Sequence, residues 1–300
     1  MAFLHATAGN HSGPRSGLRS RSLTPYLLLI PGLLWLVTFF VIPILSLAST
    51  STMVRPEGAS LGTYVQQLRF QNYVDAFSAY KEQYFRSFFY AGIATLAALA
   101  IAYPLAYMIA FKSGKYRNIL VVLVVAPFFT SFLLRTVAWT QILGDDGPVV
   151  GTLKLLPFVG DSLRLTATPF AVVAGLTYNF LPFMTLPLYA SLERIDPRTL
   201  EAAGDLYANA FTTFRKVTVP LSMPGVVAGT LLTFIPAAGD YVNATILGNP
   251  NTKMIGNVIE SRFFAVVDYP TAAALSFTLM ATILILVTLY IRKSGTDELV

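Results

Sequence analysis

Six long apolar runs, separated by polar stretches, order this chain: Tyr26–Leu47, Phe88–Phe111, Ile119–Leu143, Phe170–Tyr189, Pro224–Leu247 and Ala272–Ile291. Each approaches the ~20 residues a helix needs to cross a bilayer. The pattern predicts an all-α polytopic membrane protein with six transmembrane helices. Pro31 and Pro43 in the first run, Pro127 in the third, and Pro236 with Gly239 in the fifth predict kinks or breaks. Neighbouring helices can satisfy the backbone groups such breaks release. An alanine face in the second run (Ala91, Ala94, Ala98, Ala102) and the pair Gly225 and Gly229 suit close helix approach in lipid. Ala48–Tyr84, Gly144–Thr168 and Gly248–Pro270 read as polar loops on one side of the membrane.

The polar stretch between the fourth and fifth runs has a pattern of its own. Asp196-Pro197 is a helix start, with an acidic cap and proline at the first helical position. Leu200, Ala203, Leu206 and Tyr207 then fall on one helical face. Asn209 can cap a second short helix, with Phe211, Phe214 and Val217 as its apolar face and a stop expected before Pro220. Two short helices with a bend between them are predicted at a membrane surface. Such a hairpin either packs on its own protein or presents a docking knob to another subunit.

Composition agrees with the membrane reading. The chain is 55% hydrophobic and 12% charged, against about 25% charged in a soluble domain. The first run is too long for a cleavable signal core of ~7–15 residues. The net charge of +6 does not mark a nucleic-acid surface, because Lys and Arg flank the apolar runs. Lys112, Lys115, Arg117, Arg194, Arg198, Arg215, Lys216, Arg292 and Lys293 all fall on the side that holds both termini. The positive-inside rule assigns that side to the cytoplasm. With no cysteine, and with histidine only at His5 and His11, the body of the chain lacks the usual nucleophiles, general bases and metal ligands. No phosphate-binding loop, nucleophile elbow or zinc-protease helix occurs. Neither a metal nor a cofactor is expected, and an intramembrane enzyme is disfavoured.

Glu201-Ala202-Ala203, followed by Phe214, Val219-Pro220-Leu221 and Pro224-Gly225, resembles the EAA loop of permease subunits of bacterial ABC importers. Phe234–Pro236, Gly239-Asp240, Leu247-Gly248 and Met254-Ile255-Gly256 are similar to the spermidine/putrescine branch. The resemblance implies a type I ABC importer (MetI-like) permease fold in a bacterial inner membrane, with both termini cytoplasmic. It divides the chain into a basic, disordered tail (1–24), a permease domain (25–293) with a coupling loop (191–222), and a short tail (294–300). It implies an ATPase dimer, a second permease subunit and an extracytoplasmic binding protein as partners, beside the lipid. Glu201, Ala202, Ala203, Gly204, Asp205, Leu206, Tyr207 and Phe214 become the ATPase-coupling residues. Tyr207 stands where the family has glycine. Should that position need a positive φ, tyrosine strains it, unless Gly204 helps to make the bend.

Asp240 lies beside Gly239 in the fifth run, after Pro236. An ionisable residue at membrane depth normally faces a cavity or a partner, and a carboxylate there would attract an ammonium group. Tyr241, Tyr178 and Trp139 are candidate aromatic faces for the same cation. The alternatives for Asp240 are a wet interfacial position or an ion pair with Arg135. Other readings of the chain are an importer of the same build for iron, a phosphonate or an opine, a secondary transporter, or a membrane assembly factor. A secondary transporter would call for inverted repeats and midplane ion ligands, and neither is evident.

Overall fold

The computed structural model describes residues 24–156, 160 and 162–293. The expected basic and C-terminal tails and Asp161 lie outside them, apart from Thr24. The chain divides into two units, residues 1–47 and 48–300. In the first, α1 (Thr24–Leu36) runs through a π-helical turn at Val37–Val41 into the start of α2 (Ile42–Ser51). The wide turn sits just before Pro43, whose ring would clash with the carbonyl four residues back. The Ile42 amide bonds instead to the Val37 carbonyl.

In the second unit, a two-stranded antiparallel ribbon, β1 (Met53–Val54) and β2 (Val65–Gln66), precedes α3 (Gln71–Phe111). The Asn72 side chain donates to the carbonyls of Ser51 and Met53, both at 2.9 Å, and so ties the ribbon to the start of α3. Residues 71–84, expected in a loop, are therefore helical, with a non-helical residue at Tyr80. Tertiary packing stabilises this extension: Ala76 and Tyr84 are buried, and the Tyr84 hydroxyl donates to the Leu275 carbonyl at 2.6 Å.

After α3 come α4 (Arg117–Val125), α5 (Phe132–Ile142) and α6 (Pro148–Lys154). The third run is not a straight span. It breaks at Thr130 and Ser131, which are extended, and the two halves meet at 96°. Pro127 opens the break, and its carbonyl accepts from the Thr130 amide at 3.1 Å and from the Thr130 hydroxyl at 2.8 Å. The expected loop 144–168 contains α6, and Arg164 pairs with Asp145 at 3.0 Å.

Next are α7 (Pro169–Glu193), α8 (Pro197–Asp205), α9 (Ala210–Thr213) and α10 (Val219–Leu221). They are followed by α11 (Met223–Ala238), α12 (Val242–Leu247), α13 (Ile255–Glu260) and α14 (Tyr269–Lys293). The fifth run also breaks, between Ala238 and Val242. The segment 248–270, expected as a loop, folds inward as α13, with Met254, Ile255 and Gly256 fully buried. Among the described residues, four helices are long and apolar enough to cross a membrane, and counting each of two bent helix pairs as one span gives up to six crossings.

The core of the second unit lies where α3, α7 and α11 meet. Ala91, Ala94, Ala98, Ala102 and Ala106 on α3 are fully buried. Residues Ala98, Ala102 and Ala106 pack with Met184, Leu188 and Leu192 of α7. A β-carbon on Gly225 would stand 2.5 Å from the Ser191 β-carbon, and one on Gly229 would stand 2.8 Å from the Met184 sulfur. With no strong hydrophobic drive between helices in lipid, this close approach is a main source of cohesion. Gly229→Leu is expected to destabilise the protein by about 1–3 kcal/mol through overpacking. Gly92→Leu, with nothing within 4 Å of its β-carbon, should leave the midpoint unmoved. Thermal unfolding of both variants in detergent checks this.

Candidate functional site: a protruding elbow and a buried polar break

The elbow begins where the sequence pattern places it. The Asp196 carboxylate accepts from the Arg198 amide at 2.9 Å, with Pro197 opening α8. Asn209 caps α9 by accepting from the Thr212 amide at 2.8 Å. Between them, the Tyr207 amide donates to the Gly204 carbonyl at 2.9 Å and the Ala208 amide to the Ala203 carbonyl at 3.1 Å. This pair of bonds is a Schellman closure, which requires a left-handed residue at its corner. Tyr207 occupies that corner with φ +60°. A side chain there costs about 1–2 kcal/mol. Gly204 stays within α8 and gives the closure a carbonyl, but not its left-handed φ.

The predicted apolar face of α8 is therefore split. Leu200 packs against the cluster containing Leu192 and Ile195, whereas Leu206 is 82% and Tyr207 99% exposed. Glu201, Ala202, Gly204 and Asp205 are exposed, and Ala203 is half-buried. Phe214 turns inward. Its ring lies edge-on to Tyr103, 5.5 Å between centroids, and 6.1 Å from Tyr107, both on α3. The helical path does not stop before Pro220. It widens into a π-helical turn at Phe214–Thr218 and continues as α10 to a break at Ser222. The Ser222 and Tyr103 hydroxyls lie 2.7 Å apart. At the neighbouring end of α7, Arg117 forms an ion pair with Glu193 and donates to the Tyr189 hydroxyl at 2.7 Å. A cleft of about 570 Å³ lies at the elbow's base, lined by Pro187, Arg194, Asp196, Thr199, Leu221 and Gly225.

The second feature is the break between α11 and α12. Asp240 is 8% exposed, and its carboxylate accepts from the Asn243 amide at 2.8 Å. It thus caps α12. The Asn243 side-chain oxygen accepts from the Asn179 amide at 3.0 Å, and the same amide reaches the Thr136 hydroxyl at 3.0 Å. One polar chain therefore joins α5, α7 and α12. The Asn179 oxygen and the Asn243 amide nitrogen, both buried, have no hydrogen-bond partner. Beneath the break, Asn257 donates to the Tyr241 carbonyl at 2.8 Å and to the Thr245 hydroxyl at 2.7 Å. A β-carbon on Gly256 would lie 2.5 Å from the Gly239 carbonyl oxygen. The Met254-Ile255-Gly256 stretch is thus the floor that supports Asp240.

Trp139 and Tyr178 are brought together, 5.4 Å between centroids, with Trp139 packed against a core cluster. Tyr241 is half-exposed beside Asp240. Arg135 forms no ion pair with Asp240. Its Nε and Nη1 are buried without a partner, and its guanidinium lies 5.7 Å from the Phe132 ring. The sequence reading attended to ionisable residues and passed over Thr136, Asn179, Asn243 and Asn257. Their signal was available: an amide within an apolar run must find a polar partner just as a charge must.

Crossings broken around a buried polar centre are the build of membrane transport proteins. The model of the family described as binding-protein-dependent transport system inner membrane component matches residues 102–293. The chain is 38% identical, over 87% of its length and 90% of the relative's, to the spermidine/putrescine transport system permease protein PotB of Haemophilus influenzae. It is 36% identical to PotB of Escherichia coli, over 87% of this chain and 94% of that one. A bacterial alginate ABC transporter, crystallised with an alginate pentasaccharide-bound periplasmic protein, has a chain of similar fold. The TM-score is 0.71 at 18% identity, covering 92% of this chain and 95% of that one. The chain belongs to the binding-protein-dependent transport system inner membrane components, the non-catalytic permease subunits of ABC importers.

Removing either amide of the Asn179–Asn243 pair leaves its neighbour unsatisfied. Asn179→Leu and Asn243→Leu should each cost about 1–3 kcal/mol. The double variant should cost less than the sum, and strict additivity in thermal unfolding would show that the pair is not coupled.

Proposed function

We propose that this permease conducts polyamines, with Asp240 as a charge on their path, and that an ATPase subunit drives it through the elbow. The observation that carries the substrate is the breadth of the match to the two PotB proteins, which takes in both the elbow and the Asp240 break. The chemistry of the break supports it. A carboxylate held at a helix break, half-satisfied by its capping bond, retains acceptor capacity for an ammonium group. Tyr241 stands beside it. Trp139 and Tyr178 form an aromatic pair on α5 and α7 that offers further faces to the same cation.

The side of the membrane follows from charge. The elbow, the 112–117 turn and the end of α14 carry the clustered Lys and Arg that the positive-inside rule assigns to the cytoplasm. Both termini then lie in the cytoplasm, and the outer segments meet an extracytoplasmic binding protein. A second permease subunit completes the path. The chain has no phosphate-binding loop, so ATP acts through a separate ATPase pair. Glu201, exposed on α8, is placed to meet a cation on that partner, and Phe214 carries the motion inward to α3.

Asparagine caps a helix as well as aspartate does, so Asp240→Asn removes the charge and keeps the fold. Spermidine uptake by the reconstituted importer should fall about tenfold, equivalent to ~1.4 kcal/mol. Equal uptake by the two forms would remove the charge role. Glu201→Ala should lower uptake per ATP hydrolysed in the same vesicles while the complex still assembles. An unchanged ratio would take Glu201 out of the coupling.

A further inference from the structure

Nothing among the described residues explains the left-handed corner at Tyr207. Glycine would close the same Schellman turn without strain. The tyrosine ring gains no compensating contact, since the residue is 99% exposed. Leu206 beside it and Phe211 on α9 are 82% and 70% exposed. Leu200 and Phe214, in contrast, are turned into the protein. Glu201, Asp205, Arg215 and Lys216, on the segments that flank this apolar tip in sequence, are all exposed. An aromatic centre, apolar flanks and a charged rim are the anatomy of a protein–protein hot spot.

We infer that Tyr207 is a specificity-determining anchor: its ring enters an apolar pocket of the ATPase subunit, flanked by Leu206 and Phe211. This rests on the reading of the elbow as the ATPase dock. The occupant follows from what the chain offers on that side of the membrane. Among the described residues, the other connection there is the turn between Phe111 and Arg117, too short to present a surface. A side chain at the corner selects partners, because an ATPase whose surface is closed opposite this position would clash with the ring. The strained corner is then the residue by which this permease refuses the ATPases of other importers.

The test uses the complete importer in nanodiscs, with the ATPase subunit titrated onto the wild-type, Tyr207→Gly and Tyr207→Phe permeases. Tyr207→Gly relaxes the corner, so a merely structural role predicts binding as tight as wild type or tighter. The anchor predicts the opposite sign. Affinity should fall at least about tenfold while the elbow amides gain protection in hydrogen exchange, and Tyr207→Phe should stay within about threefold of wild type. Unchanged or tighter binding by Tyr207→Gly overturns the anchor. Because the chain has no cysteine of its own, Asp205→Cys provides a single attachment point for a photo-crosslinker. Crosslinks to the ATPase together with unchanged Tyr207→Gly affinity would sink the anchor alone, whereas no crosslink to the ATPase would sink the docking reading with it. A probe at Tyr207→Cys quenched by nitroxide lipids in the assembled complex would make the bilayer surface the occupant, and would also overturn the proposal.

Discussion

In hydrocarbon, a backbone amide or carbonyl released by a helix break has no water to turn to. That constraint explains most of what is unusual in this chain. Each break occurs where side chains take over the lost bonding. Thr130 serves the break in the third crossing. At the fifth, Asp240 caps the new helix from above and Asn257 holds the Tyr241 carbonyl from below. The glycine at 256 lets its backbone approach the Gly239 and Asp240 carbonyls closely enough for this support to form. The polar centre is thus a structural necessity of the break before it is anything else. Asp240 has a structural reason to stand there, because the break needs a carboxylate or amide at that place.

Much of this was legible in sequence, and the reasons for the rest are physical. The six crossings followed from run length, and the caps at Asp196 and Asn209 followed from local chemistry that tertiary structure did not override. The inward fold of 248–270 was not legible. Its glycines and asparagines read as loop residues, yet they serve as close-packing surface and amide bridges to elements far off in sequence. Residues 71–84 were missed for a related reason. Their mixed polarity suggested a loop, and only packing of Ala76 and Tyr84 makes the helix worthwhile. At the elbow, the face drawn through Leu200, Ala203, Leu206 and Tyr207 assumed one continuous helix. The turn at Tyr207 divides that face between the protein and its surroundings.

The elbow and the crossings are joined by few but specific contacts. Phe214 rests against Tyr103 and Tyr107, and Ser222 meets Tyr103. Arg117 grips Glu193 and Tyr189 at the adjoining helix end. Beside the apolar packing of Leu200, these are aromatic and charge-assisted contacts of defined geometry.

The length of α3 has a mechanical corollary. Tyr107 touches the elbow at one end of this helix, and Tyr84 holds α14 near the other. At 1.5 Å per residue the two points stand roughly 35 Å apart. An α-helix does not shorten under modest load, so α3 acts as a strut between the two faces of the membrane. Displacing its Tyr107 end must rotate or translate its Tyr84 end. A displacement at the Tyr107 end is therefore felt, undiminished in length, where Tyr84 meets α14.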